Sequence, residues 1–146
     1  MKKIVLTGTD EGSFDYNRNV DFQAIKDKEL QLQLHAEFVC SEIRDTVMMM
    51  VFTRYLLNKD QLINYSISLN FKVDQWVDYI RDKKDEDLLH SEELHRMLAI
   101  SVGFLRGSLS LQLRTTPLKG AFLPLIDIDA LIKNVNINRV KEETNK

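Results

Sequence analysis

The segment from Thr46 to Leu57 constrains this chain more than any other. Read as a strand, it points Val47, Met49, Val51 and Tyr55 to one side and Met48, Met50, Phe52 and Leu56 to the other. A strand apolar on both faces has to be covered on both faces. Its neighbours in sequence are patterned differently. Glu29 to Cys40 alternates, with Leu30, Leu32, Leu34, Ala36, Phe38 and Cys40 opposite a largely polar set. Leu62 to Val73 alternates again, with Ile63, Tyr65, Ile67, Leu69, Phe71 and Val73 against Asn64, Ser66, Ser68, Asn70 and Lys72. Such alternation marks a half-buried strand. The connections Ser41–Asp45 and Asn58-Lys59-Asp60 are short, which predicts an antiparallel meander. Lys3 to Thr9 adds a further β-prone stretch, punctuated by Asp10-Glu11-Gly12.

After Val73 the period changes. Asp74 is placed to cap a short helix running through Ile80, and the charge run Arg81–Asp87 reads as a solvated connection. From about Asp85 to Leu113 the apolar spacing is helical, and Thr115-Thr116-Pro117 ends it, because proline disfavours helix in the residue before it. Asp127 or Asp129 caps a last short helix from Ala130 to about Asn136. The expected fold class is therefore α+β: a four-stranded antiparallel meander, a long helix and a short C-terminal helix. Residues 1–137 form the one domain, and 138–146 form a polar tail without fixed structure.

The composition narrows the function. The chain has 146 residues, 44% hydrophobic and 29% charged, which suits one globular domain. A net charge of -2 with intermixed signs offers neither a nucleic-acid footprint nor attraction to an anionic membrane. Cys40 is the sole cysteine, and no apolar run is long enough for a signal peptide or a membrane span. A reducing, cytoplasmic location is the expectation. No catalytic constellation is present. His90 and His95 are five residues apart on a helix, roughly 140° around its axis, a poor pair for a metal. Gly8 and Gly12 do not form a phosphate loop, Asp127 and Asp129 read as caps, and Cys40 falls on the apolar face of its strand. No enzyme, cofactor or metal is expected.

Two features point to association instead. Met48, Met50, Phe52 and Leu56 need a cover, from residues near Phe14 to Phe22 or from a second subunit. Ala99, Gly103 and Gly107 recur at four-residue spacing along the long helix, where each glycine costs about 1 kcal/mol relative to alanine. A ridge of small residues admits a close backbone, from this chain or another.

The C-terminal third carries a resemblance. The long helix ends near Arg114; Phe122-Leu123-Pro124-Leu125-Ile126-Asp127-Ile128-Asp129-Ala130-Leu131-Ile132 follows. This arrangement resembles the SecB family of export chaperones, with Pro124 and Asp129-Ala130-Leu131 carrying most of the match. The resemblance implies a tetramer: four-stranded sheets stack in dimers, and the long helices join the dimers. It also implies that unfolded polypeptides lodge in apolar grooves without ATP. By position the groove residues would be Phe14, Tyr16, Phe22, Trp76, Tyr79, Phe122, Leu125, Ile126, Ile128 and Leu131. The clients would serve export or be an antitoxin. Export members are more acidic and dock on the SecA motor; the mixed-charge tail here departs from that pattern. The competing reading is a module dedicated to one protein partner.

Overall fold

The computed structural model describes residues 2–17, 30–57, 60–116 and 123–141. Among the described residues, six strands form one mixed sheet. They are β1 (Ile4–Glu11), β2 (Asp15–Tyr16), β3 (Leu30–Ser41), β4 (Thr46–Leu57), β5 (Asp60–Val73) and β6 (Val135–Val140). The order across the sheet is β1-β5-β4-β3-β6, and β2 lies beside β5 where β1 leaves off. The helices are α1 (Trp76–Arg81), α2 (Asp85–Leu89), α3 (Glu92–Leu113) and α4 (Ile128–Leu131), the last running into a 3-10 turn at Ile132–Asn134.

The expected antiparallel meander is present as β3-β4-β5, but it is only the centre of the sheet. β1 crosses over to pair with β5, and β6 pairs in parallel with β3, so the sheet is six-stranded and mixed rather than four-stranded and antiparallel. β6 escapes sequence reading because Val135–Val140 is half asparagine and arginine, residue types that local propensity does not place in strands. Pairing with β3 supplies what propensity does not, and Asn138, Arg139 and Val140 are part of the strand rather than of a tail. Arg139 also reaches beneath the α1–α2 connection. Its guanidinium donates to the carbonyls of Ile80 and Lys83 and pairs with Asp85 at 2.9 Å.

One sheet face is the core. Ala36, Phe38, Met49, Val51, Ile67, Leu69 and Phe71 are buried there beneath Leu94, Met97, Leu98, Leu105 and Leu109 of α3. Trp76 of α1 is fully buried and meets Phe38 edge-on, with ring centroids 5.8 Å apart. The expected single helix from Asp85 is two helices. Ser91 breaks it, donating to the Leu88 carbonyl at 2.7 Å and accepting from the Leu94 amide at 3.2 Å, which stops α2 and caps α3. Asp74 does not cap α1: its amide donates to the Lys3 carbonyl. Asp45, from the β3–β4 connection, instead accepts from the Val77 amide at 2.9 Å. Among the described residues, no helix is long and apolar enough to cross a membrane.

The opposite face carries Met48, Met50, Phe52 and Leu56, all half-buried. Flanking strands contribute polar side chains there, including Ser66 and Ser68 on one side and Gln33 and His35 on the other. His35 stacks flat on Phe52, with centroids 4.6 Å apart and planes 7° from parallel. The oily stripe is therefore mostly one strand wide, widened at one end by Val39 opposite Met48.

Asp45→Ala should cost about 1 kcal/mol in denaturant unfolding, because the Val77 amide loses its acceptor. A cost indistinguishable from zero would mean that water replaces the carboxylate without penalty.

Candidate functional site

The site begins with how the segment after α3 is held. Arg106, on the exposed flank of α3, donates through one guanidinium nitrogen to the Leu123 carbonyl and through another to the Pro124 carbonyl at 3.0 Å. Asp127 caps α4, accepting from the Asp129 amide at 3.0 Å. His95 lies 3.4 Å from the Asp129 carboxylate through Nδ1 and 3.0 Å from the Leu89 carbonyl through Nε2. These contacts set the 123–131 segment beside β3 while leaving part of its apolar surface undercovered. Leu123 and Leu131 are buried, Ile126 is half-buried, and Leu125 is 95% exposed.

Between this segment and β3 lies an open trough of about 270 Å³. Leu32 and Leu34 form one wall; Leu125, Ile126, Ala130 and Leu131 form the other, with Asp127 and Asn134 at the rim. The edge of β3 is divided at this point. β6 pairs with Ala36–Ser41, whereas the stretch from Leu30 to His35 has no neighbour on that edge among the described residues. The Leu34 carbonyl points outward from the edge, since it accepts from the Asn134 side-chain amide at 3.4 Å. By the two-residue alternation of strand backbone, the peptide groups of Leu32 point the same way.

The ten residues assigned to a groove by resemblance do not share one place. Leu125, Ile126 and Leu131 line the trough, and Ile128 packs beside it against the core. Phe14 and Tyr16 sit by Tyr65, on the β5 side of the sheet, with Phe14 5.7 Å from the Tyr65 ring. Trp76 is core. Tyr79 is half-buried in a different cleft. Phe22 and Phe122 lie outside the described residues. Leu32 and Leu34 were missed as site residues. In sequence they are indistinguishable from Ala36 and Phe38, which share their face of the strand; only the shortness of β6 separates them. Ala99, Gly103 and Gly107 are exposed along α3, and a side chain added at either glycine meets nothing within 4 Å. The ridge therefore does not pack on this chain's own sheet.

The second cleft, about 790 Å³, is lined by Lys2, Lys3, Asp74, Gln75, Tyr79 and Glu93. Four of these residues are paired with one another. Glu93 is buried and accepts from the Lys2 amide at 3.0 Å and the Tyr79 hydroxyl at 3.1 Å, and Lys2 Nζ donates to Gln75. Burial pushes the Glu93 carboxyl up, but these donors, with the group's own backbone amide, outweigh it and hold the carboxyl below its ordinary value. This clasp ties the start of β1 to α1 and α3. Elsewhere, Cys40 is buried, and burial raises its thiol pKa, which keeps it from acting as a thiolate. Among the described residues, no three His, Cys, Asp or Glu side chains converge as metal ligands would.

No family model matches the sequence, and no curated protein matches it. Among solved structures, the chain is similar to the Mycobacterium tuberculosis Rv1957 SecB-like chaperone, solved in complex with a ChAD peptide from the Rv1956 HigA1 antitoxin. The identity is 11%, the likeness covers 87% of each chain, and the TM-score is 0.41.

Because the folded-state Glu93 carboxyl titrates lower than in the unfolded chain, its contribution to stability is complete above the ordinary carboxylate pKa and is lost as pH falls through the depressed value. Between about pH 6 and pH 3, wild type should lose more unfolding free energy than Glu93→Gln. Parallel losses in the two proteins would show that the clasp does not discriminate between charged and neutral forms.

Proposed function

We propose that this protein is a non-enzymatic binder of extended polypeptide that holds unfolded segments of other proteins in the trough beside β3, without nucleotide. One observation carries the reading: an open trough of about 270 Å³, with leucine and isoleucine walls and Asp127 and Asn134 at its rim, runs alongside a stretch of strand edge that has no strand neighbour among the described residues. An unfolded chain exposes apolar side chains and unpaired peptide groups together, and this surface answers both. Side chains leave water against Leu32, Leu34, Leu125 and Ile126. The backbone of the client finds partners along the edge. Contacts of this kind respond to hydrophobicity and extension rather than to a defined sequence, so the binding is promiscuous and suited to a chaperone. We place it in the cytoplasm.

Two surfaces support association of copies under the same proposal. The stripe Met48, Met50, Phe52 and Leu56 lies on the sheet face away from the helices. The ridge Ala99, Gly103 and Gly107 lies on the outer side of α3, beside Ile100 at 41% and Leu111 at 60% exposure. Pairing through both would assemble dimers into a tetramer.

Purified protein should delay aggregation of an unrelated unfolded client in the absence of nucleotide. Leu125→Asp should weaken client binding about tenfold or more, since a buried leucine contributes roughly 1.5–3 kcal/mol. Its unfolding free energy should stay within about 0.5 kcal/mol of wild type, because Leu125 touches little in the free protein. No effect on aggregation by wild type would remove the proposal. Light scattering should give a mass that is a multiple of 17.0 kDa. Met50→Glu and Gly103→Leu should each lower that mass, while a 17.0 kDa species in wild type would dismiss both surfaces as interfaces.

A further inference from the structure

We infer that the trough selects client segments whose apolar residues alternate, binding them as an added strand on the free half of the β3 edge; this rests on the polypeptide-binding reading above. The inference starts from the division of that edge. β6 pairs with β3 only from Ala36 onward, and the chain leading into β6 turns away through the 3-10 turn at Ile132–Asn134. Among the described residues, about six residues of β3 are left without a strand neighbour on that edge, a length of roughly 20 Å. Along this stretch the Leu34 carbonyl already accepts from the Asn134 side-chain amide, at a long 3.4 Å. A side-chain amide thus stands where the main-chain N–H of an added strand would stand, in line with the ladder that β6 makes farther along.

The two faces of the free edge are unlike, and this produces the selection. On the helix side, Leu32 and Leu34 face the trough with Leu125, Ile126 and Leu131, and Asp127 and Asn134 stand at its rim. On the other side, β3 presents Gln31, Gln33 and His35, all exposed. A strand laid along this edge sends successive side chains to opposite faces. Every second residue enters the trough, and the residues between meet glutamine, histidine and water. A segment with apolar residues at every second position satisfies both faces. A contiguous apolar run of the same composition places half its apolar groups in water. An amphipathic helix, whose backbone groups are already paired, gains nothing from the edge. The favoured clients are therefore the unfolded forms of half-buried strands.

The test uses the full chain and fluorescent peptides of about ten residues, in three forms. One alternates leucine with serine, one carries the same residues with the leucines contiguous, and one is the alternating peptide N-methylated at every second amide. Two N-methylated versions, offset by one residue, sample both edges of the peptide. The alternating peptide should bind at least tenfold more tightly than the contiguous one, and one N-methyl register should lose at least tenfold while the other is little changed. If alternating and contiguous peptides bind equally, or if both N-methyl registers bind like the parent, strand addition is overturned while polypeptide binding stands. If no peptide binds, the polypeptide-binding reading fails and this inference fails with it.

Discussion

The fold depends on β4 being bonded along its whole length on both sides. β3 and β5 pair with it from end to end, and this aligns the apolar face of three strands into a single wall. Met49 and Val51 at its centre are fully buried, and α3 has no comparable surface elsewhere on which to rest. Once that wall is covered, the remaining elements are placed by what is left. β1 and β6 take the two flanks of the meander, α1 follows Trp76 into the core beside Phe38, and α4 closes over the β3 side. Register matters because a shift of one residue anywhere in the meander would exchange Ile67 and Leu69 for Ser66 and Ser68.

The candidate site is a consequence of unequal lengths. β3 is twice as long as β6, and the segment after α3 is pinned by Arg106 and capped by Asp127 before β6 begins. A longer β6 would close the edge, and a looser 123–131 segment would let Leu125 fold inward. The trough persists because two carbonyls are held by a guanidinium on the neighbouring helix. The same economy explains the Glu93 clasp, where a buried carboxylate is tolerated because an amide and a hydroxyl are both aimed at it.

The strands β3, β4 and β5 were legible because each has period-two patterning over a dozen or so residues. The helical character of Glu92–Leu113 was legible from its spacing. The break at Ser91 was not, because the apolar rhythm runs through it; only the hydroxyl bonds to Leu88 and Leu94 reveal it. β6 was not legible because its strand character comes from its partner. Among the candidate groove residues, Leu125, Ile126 and Leu131 meet in the trough, while Trp76 went to the core, where a large aromatic gains most from burial.

What the amino-acid sequence determined alone was the alternation that makes the meander, the double-sided oiliness of β4 and the small-residue ridge on α3. These are local or compositional properties, readable from side chains in order. What only the tertiary structure decided was where β6 attaches, which half of β3 it pairs with, and that the ridge faces outward. Those depend on the relative lengths and positions of elements far apart in the chain, and no local pattern encodes them.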